Sequence, residues 1–305
     1  VTEDYREDVC ILIPTLNEGA TIGQLIEDFN TEGFGNIFVI DGNSSDDTQE
    51  IANKMGARVV AQTGKGKGQA VQDALAMIDD PYVIMIDGDG TYLAKDVHSM
   101  LEPLEAGRAD HVIGNRFADF DPGAFTKLNL IGNKILNKFF SVIYRKNLVD
   151  ILSGYRGFTN QAIRELELHE TGFEIESEIA VDSMKKEHRV EVVPITYRPR
   201  PDEGDTKLNP LKDGFGIGST IYKMAKFHNP MFYFGIMGAI LTLSGILLGI
   251  YVVSEWMIGI THIPMTTLTA LLIISGIQMF IFGMLSDLVV SLHRETMRTL
   301  RRQQR

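Results

Sequence analysis

The sequence predicts an α/β domain built on a parallel sheet with helices on both faces, followed by a two-helix transmembrane hairpin. Three observations carry this. Short apolar runs alternate with stretches of helical spacing through the first two thirds of the chain, the order of crossover-connected parallel strands. Two of those runs stop at aspartates, Asp41 and Asp87. Two long runs near the C-terminus carry no charge at all.

Val9 to Ile13 is the first apolar run, closed by Pro14. Ala20 to Phe29 places Ile22, Leu25, Ile26 and Phe29 on one helical face. Asn36 to Ile40 reads as a second strand, Thr48 to Met55 as a helix and Arg58 to Ala61 as a third strand. After the loop Gly64 to Gly68 comes a helix over Gln69 to Ile78, then an apolar strand over Tyr82 to Ile86 that runs into Asp87-Gly88-Asp89. Val97 to Leu104 is a helix, His111 to Gly114 a strand leading to Asn115-Arg116, and Val190 to Tyr197 a last strand. Thr126 to Tyr144 is amphipathic, with Leu128, Ile131, Ile135, Leu136, Phe139 and Phe140 apolar and Lys127, Lys134 and Lys138 basic. Such a helix can pack on the sheet or lie in a membrane interface.

Phe232 to Val253 and Met265 to Leu285 are charge-free and long enough to cross a bilayer core at about 1.5 Å per residue. The connector Ser254 to Pro264 holds Glu255, Trp256 and His262 but no Lys or Arg. Lys223 and Lys226 precede the first run, and Arg294, Arg298, Arg301, Arg302 and Arg305 follow the second. The positive-inside rule puts both flanks in the cytoplasm. The expected organisation is a catalytic domain over 1–210, an amphipathic juxtamembrane linker over 211–230, two spans within 231–290 (about 232–253 and 265–286) and a basic cytoplasmic tail over 291–305.

A net charge of −11 argues against nucleic acid as a partner. The single cysteine, Cys10, allows no disulfide framework, and the acidic start of the chain has no signal-peptide h-region. Both point to a cytosolic catalytic domain, and together with the two charge-free runs the expectation is a multi-pass protein of the cell membrane with both termini cytoplasmic.

Ligands of open α/β sheets bind beyond the carboxyl ends of strands, so Asp41, Asp87 and Asp89 should converge on one crevice. Two carboxylates separated by one glycine can hold a hard divalent cation whose shell is completed by phosphate oxygens. Lys67, Arg116, Arg198, Arg200 and Lys207 are the basic side chains that could neutralise phosphates there. Gly64-Lys65-Gly66-Lys67-Gly68 is no Walker A loop, G-x-G-x-x-G is absent, and the histidines show no ligand spacing. Dinucleotide and hydrolase chemistry are thereby disfavoured.

Several motifs now stand in order: Pro14-Thr15-Leu16-Asn17-Glu18, Asp41-Gly42-Asn43-Ser44-Ser45-Asp46-Asp47-Thr48, Gly66-Lys67-Gly68 and Asp87-Gly88-Asp89. As a set they resemble the family 2 glycosyltransferases, whose GT-A fold is a Rossmann-like nucleotide-diphospho-sugar transferase domain. Asp150-Ile151-Leu152-Ser153-Gly154-Tyr155-Arg156 is similar to the motif that follows in polyprenyl-phosphate hexose synthases. Tyr197-Arg198-Pro199-Arg200 with Gly204-Asp205-Thr206-Lys207-Leu208 resembles their donor-closing loop. The nearest resemblance is to archaeal dolichyl-phosphate mannose or glucose synthases with two C-terminal spans.

That resemblance implies roles. Pro14, Glu18 and Asp41 would hold base and ribose, with Thr15, Asn17, Asn43 and Ser45 beside them. Asp87, Gly88 and Asp89 would meet the donor diphosphate, and Asp87, Asp89 and Thr91 the Mg²⁺ or Mn²⁺. Lys67, Arg198, Arg200 and Lys207 would surround the donor. Arg116, Lys127, Asn129 and Asn133 would take the acceptor phosphate. Asp150, Ser153 and Glu176 would line the sugar pocket, making Asp89, Arg116, Asp150, Ser153 and Glu176 the catalytic set.

Two positions depart from the pattern. Thr91 stands where many mannose synthases carry Gln. Lys127, Asn129 and Asn133 stand where their acceptor helix carries Arg and Ser.

The implied reaction moves a hexose from a UDP- or GDP-sugar, UDP favoured, to dolichyl or another polyprenyl phosphate with inversion. The lipid product would serve protein glycosylation or cell-surface glycan assembly. The catalytic crevice must then face the membrane, and homo-oligomerisation stays open. A transferase extending a glycan hydroxyl is the alternative, but its Gln-x-x-Arg-Trp motif is missing, since the only tryptophan is Trp256. A nucleotide-sugar-binding scaffold without catalysis is the other alternative, and Asp87 and Asp89 argue against it.

Overall fold

The computed structural model describes residues 6–201 and 210–303. Lys207 and Arg305 lie outside the described residues. The chain divides into two units, Val1–Ile221 and Tyr222–Arg305.

The first unit holds a seven-stranded sheet in the order β3-β2-β1-β4-β6-β5-β7. Its strands are β1 (Val9–Thr15), β2 (Ile37–Asp41), β3 (Arg58–Ala61), β4 (Tyr82–Met85), β5 (His111–Phe120), β6 (Arg156–Thr159) and β7 (Val190–Tyr197). Helices α1 (Gly19–Thr31), α2 (Thr48–Lys54), α3 (Lys67–Leu75) and α4 (Val97–Glu105) alternate with the first strands. Helices α5 (Lys127–Tyr144), α6 (Asn160–Glu165), α7 (Ile175–Lys185) and α8 (Pro210–His228) follow.

The expected all-parallel sheet is corrected to a mixed one. β6 runs antiparallel to both β4 and β5, while the other pairings are parallel. β6 is four residues with Arg156 and Gly157 at its start, too short and too polar to show as an apolar run. β5 also continues past Gly114 to Phe120, because its polar second half pairs with β7 across a register shift at Asn115 and Asp119.

The alternation along β1 builds the core on both faces. Val9, Ile11 and Ile13 pack with Ile22, Ile26 and Phe29 of α1 and with Met100 and Leu104 of α4. Cys10 and Leu12 face the other way, onto Val71 and Ala74 of α3 and Ile175 and Ile179 of α7. A strand buried on both faces reads as a continuous apolar run, which is why β1, β2 and β4 are evident in the sequence. The connections leave β1 toward β2 on one side and enter β4 on the other. The crevice therefore opens above the carboxyl ends of β1 and β4.

The second unit contains α9 (Pro230–Met257) and α10 (Ile263–Gln303). The Asn229 side chain caps α9 by accepting from the Phe232 N–H, and Pro230 occupies the first turn, where its missing N–H costs nothing. Pro230–Met257 and Ile263–Leu292 are each long and apolar enough to cross a membrane. The two helices approach closely at Gly238, where a Cβ would stand 2.8 Å from the carbonyl oxygen of Gly276.

Candidate active site

The nucleotide end of the crevice is built from the loops after β1 and β2. Asp41 is fully buried and its carboxylate accepts four hydrogen bonds. Thr15 Oγ1 and Ser44 Oγ donate to Oδ1 at 3.2 and 2.6 Å, and the Ser44 N–H and Gln49 Nε2 donate to Oδ2 at 2.8 and 2.7 Å. Asp41 therefore shapes the loop. Asn17 and Asn43 both adopt left-handed backbone, φ 52° and 63°, a conformation Asn tolerates. Asn17 knits the two loops together, its N–H donating to Ser44 Oγ and its Oδ1 accepting from the Ser45 N–H, each at 2.8 Å. Pro14 and Thr15 are buried at the end of β1, and Asn43 and Ser45 are exposed.

Asp87 and Asp89 follow β4 and are half-buried, with Gly88 buried between them. Lys67, at the start of α3, reaches both Asp87 Oδ1 and Glu176 Oε1 at 2.5 Å. Burial alone would lower the Lys67 ammonium, but the two carboxylates outweigh it and hold its pKa above the ordinary value. The glycines around Lys67 are needed for close approach. A Cβ on Gly66, at φ 93°, or on Gly68 would stand 2.2 Å from a carbonyl oxygen of Thr171 or Glu170. Arg200 reaches back over the crevice to Glu18 Oε1 at 2.9 Å and Asp89 Oδ2 at 3.5 Å. Thr91 is buried and donates its hydroxyl to Asp89 Oδ1 at 2.6 Å, which fixes that carboxylate's orientation.

The other end of the site is a buried ion pair. Arg116 donates Nε to Asp150 Oδ2 and Nη2 to Oδ1, both at 2.8 Å, and Nη2 lies 3.4 Å from Asn133 Oδ1. Its guanidinium carbon lies 5.4 Å from the ring centre of Tyr197 and 5.7 Å from that of Phe125. Burial opposes the charge on Arg116, and Asp150 raises its pKa well above the ordinary value. Val149, immediately before Asp150, holds φ 59°, a strained backbone for a β-branched residue.

The segment Asp150 to Gly154 joins the two ends. Ser153, within it, is fully buried. The Gly154 N–H donates to Tyr92 Oη at 2.9 Å, and a Cβ on Gly154 would stand 2.2 Å from Asp87 Oδ2. From below, Arg156 donates to the carbonyl oxygens of Ser153 and Ile151 at 2.9 and 2.6 Å.

Thus Lys67 gathers Asp87 and Glu176, Arg200 gathers Glu18 and Asp89 with Thr91 beside it, the two groups meeting through the Asp87-Gly88-Asp89 turn, and Arg116, Asn133 and Asp150 form a further group. Arg198 turns away: its backbone N–H pairs with the Thr91 carbonyl, and its side chain lies 3.7 Å from Asp121. Lys127 is exposed at the start of α5, and the Asn129 backbone N–H donates to Thr126 Oγ1, the N-cap hydrogen bond of that helix. Sequence reasoning missed Tyr92, whose partner Gly154 lies 62 residues on, Asn137, which meets the Ile151 N–H 14 residues on, and Arg156, which holds the nearby Ser153 and Ile151 carbonyls from a buried position.

Among the described residues no group of three or more His, Cys, Asp or Glu could hold a metal ion. Asp87 and Asp89 instead offer two hard oxygen donors at a partly exposed strand end. That set suits Mg²⁺ or Mn²⁺ when substrate phosphate completes the shell.

A mixed sheet with paired carboxylates beyond its central strand is the GT-A architecture of nucleotide-sugar glycosyltransferases. The chain belongs to glycosyl transferase family 2, whose family profile matches residues 10–167. It is 49% identical to "Glycosyltransferase AglJ" of Haloferax volcanii over 96% of this chain and 97% of that protein. It is 33% identical to the "Dolichyl-phosphate hexose transferase" of the same organism, over 73% of this chain and 96% of that one. Among solved structures, glucosyl-3-phosphoglycerate synthase from Mycobacterium tuberculosis, in complex with Mn²⁺ and UDP-glucose, matches with a TM-score of 0.56. That match has 21% identity and covers 72% of this chain and 77% of the other.

Proposed function

We propose that this glycosyltransferase moves a hexose from a nucleotide sugar, UDP-linked in preference to GDP-linked, to the phosphate of dolichol or another polyprenol. The observation that carries this reading is the pairing of the site's carboxylates. Asp87 and Glu176 are held by Lys67, Asp89 faces Arg200, and Asp150 is locked to Arg116. A sugar-hydroxyl acceptor needs a carboxylate free to take its proton, whereas a phosphate acceptor is already an anion near pH 7 and needs none. Cations beside Asp87, Asp89, Asp150 and Glu176 also suit a reaction that brings two anions together.

The acceptor oxygen attacks the anomeric carbon as the bond to the nucleoside diphosphate breaks, inverting that carbon in one displacement. Arg200 and Lys67 sit where negative charge develops on the leaving group. Asp87 and Asp89 would hold Mg²⁺ or Mn²⁺, which would stabilise the same diphosphate. Arg116, fixed by Asp150 and Asn133, orients the acceptor phosphate with Asn129 and Lys127 nearby on α5. Glu176 would border the sugar pocket, and Asp150 and Ser153, both fully buried, would support its wall from behind. Support for the lipid acceptor comes from the two apolar helices and from the dolichyl-phosphate hexose transferase relative. The spans would keep the enzyme in the cell membrane with its catalytic unit and both termini cytoplasmic, supplying lipid-linked sugar for protein or surface glycans.

The test is incubation of membranes carrying the protein with labelled nucleotide sugar and dolichyl phosphate. Label in an alkali-stable, organic-soluble hexosyl phosphate is expected. Label found only in extended glycan would overturn the reading in favour of a hydroxyl acceptor.

A further inference from the structure

We infer that Glu170 and Thr220 of α8 are positioning residues for the donor end of the site. Their hydrogen bond seats the loop 169–174 against α8, and that loop sets the spacing of Lys67 and Glu176. The functional half of the inference rests on the proposed role of Lys67 at the donor diphosphate.

Lys67 and Glu176 stand in the first turns of two different helices, α3 and α7. Their ion pair at 2.5 Å needs both helix starts held in register. The loop 169–174 is bound to each of them. On the α3 side the Gly68 N–H donates to the Thr171 carbonyl at 2.9 Å, and Gln72 Nε2 donates to the Glu170 carbonyl at 2.9 Å. On the α7 side the buried Glu178 carboxylate accepts from the His169 and Glu170 N–H groups at 3.0 and 2.8 Å. Glu174, at the N-cap of α7, accepts at its carbonyl from the Glu178 N–H at 2.9 Å. It stands two residues before Glu176.

The remaining side of the loop is α8. Thr220 is 4% exposed, and its Oγ1 donates to Glu170 Oε1 at 2.9 Å. A hydrogen bond to a carboxylate away from water is among the stronger ones. Glycine is disfavoured inside a helix, yet Gly216 lies one turn before Thr220. Glu174 supplies the reason: a Cβ at Gly216 would overlap its Oε1. Residues four apart share a helix face, so one face of α8 meets the loop at both Glu170 and Glu174. α8 is itself seated on α5, with Tyr144 Oη donating to the Ile221 carbonyl at 3.1 Å and Gly218 opposite Leu136. It is also the helix through which the chain leaves the first unit. The chain's exit from the catalytic unit is thereby tied, through one loop, to the cation of the donor site.

The test compares Thr220→Val, which keeps the side chain's shape and removes its donor, with Thr220→Ser, which restores the donor. Hydrogen–deuterium exchange on the full chain in detergent, without substrate, reads the Gly68 and Gln69 amides that bond the Thr171 carbonyl. Exchange there should rise about fivefold or more in Thr220→Val and stay within about twofold of wild type in Thr220→Ser. The amides of β1 should be unchanged in both. Kinetics with UDP-glucose and dolichyl phosphate should show the donor KM raised about three- to tenfold in Thr220→Val, with the acceptor KM within about twofold. On a Lys67→Ala background, Thr220→Val should change the donor KM no further, because it acts through Lys67. Unchanged exchange at 68 and 69 overturns the inference, and additive effects of the two substitutions overturn its action through Lys67. A wild-type donor KM in Lys67→Ala removes the donor role of Lys67 instead. The exchange profiles need no turnover, so that failure and failure of the loop contact are separately visible.

Discussion

Asn at position 150 keeps the shape of the Asp150 side chain and removes its charge. Asp150 Oδ2 accepts from the backbone N–H and Nε of Arg116 at 3.1 and 2.8 Å, and Oδ1 accepts from Nη2 at 2.8 Å. Water cannot replace these contacts, because Asp150 is fully buried and Arg116 is 9% exposed. Asp150→Asn therefore leaves a buried guanidinium without its counter-ion and turns one acceptor into a donor facing a donor. Breaking such a pair costs about 3–5 kcal/mol. At about 2–4 °C per kcal/mol for a unit of this size, Tm should fall by roughly 6–20 °C. Removing both charges differs in kind. Arg116→Met with Asp150→Leu leaves no orphan charge, so Tm should return to within about 5 °C of the wild type. Transfer should not return if Arg116 orients the acceptor as proposed; a loss of about 10²–10³-fold is expected. Thermal unfolding of purified protein and a single-time-point transfer assay give both readouts. A double variant with near-wild-type transfer would refute the acceptor role, and an unchanged Tm in Asp150→Asn would refute the buried pair.

Asp89→Ala should lower transfer by about 10²-fold or more with the circular dichroism spectrum unchanged, and wild-type turnover would sink the metal assignment. Gly154→Ala should raise the donor KM and cost about 1–3 kcal/mol, because its Cβ would meet the Asp87 carboxylate; equal donor affinity by calorimetry would contradict this. His111 is fully buried, and burial with the nearby Arg156 charge pulls its pKa well below 6.5. Arg156 donates to its Nε2, so the proton sits on Nδ1 and goes to Ser183 Oγ. The unfolded chain then binds the extra proton first, so stability falls as pH drops below about 6.5. Melting at pH 7.5 and 5.5 should show a fall that shrinks in His111→Gln, and an identical fall in the variant would remove His111 as the cause.

Much of the first half of the unit was legible because β1, β2 and β4 are buried on both faces and α1 shows a clean helical period. α7 was not recognised. Glu176, Glu178 and Asp182 lie among its buried residues, so its polar pattern hides the face that packs on the sheet. Glu178 accepts from the His169 and Glu170 N–H groups, and Glu176 pairs with Lys67. Those carboxylates are satisfied by residues whose proximity only the fold creates. The same holds for Arg116. Sequence spacing marks it as a strand-end cation, but its partner Asp150 lies 34 residues on, so the lock between them was not visible. The positions of the strand-end carboxylates were legible, since Asp41 closes β2 and Asp87 and Asp89 follow β4, both of them apolar strands.

The central claim is transfer to a lipid phosphate. It is tested most directly by offering reconstituted protein a panel of UDP- and GDP-linked hexoses with dolichyl phosphate and reading the lipid product by mass. The account predicts a product heavier than dolichyl phosphate by one hexose residue, formed best from a UDP-sugar and lost on chelation of divalent metal. Hexose appearing only on a hydroxyl of a glycan or glycolipid, with dolichyl phosphate unchanged, would contradict it.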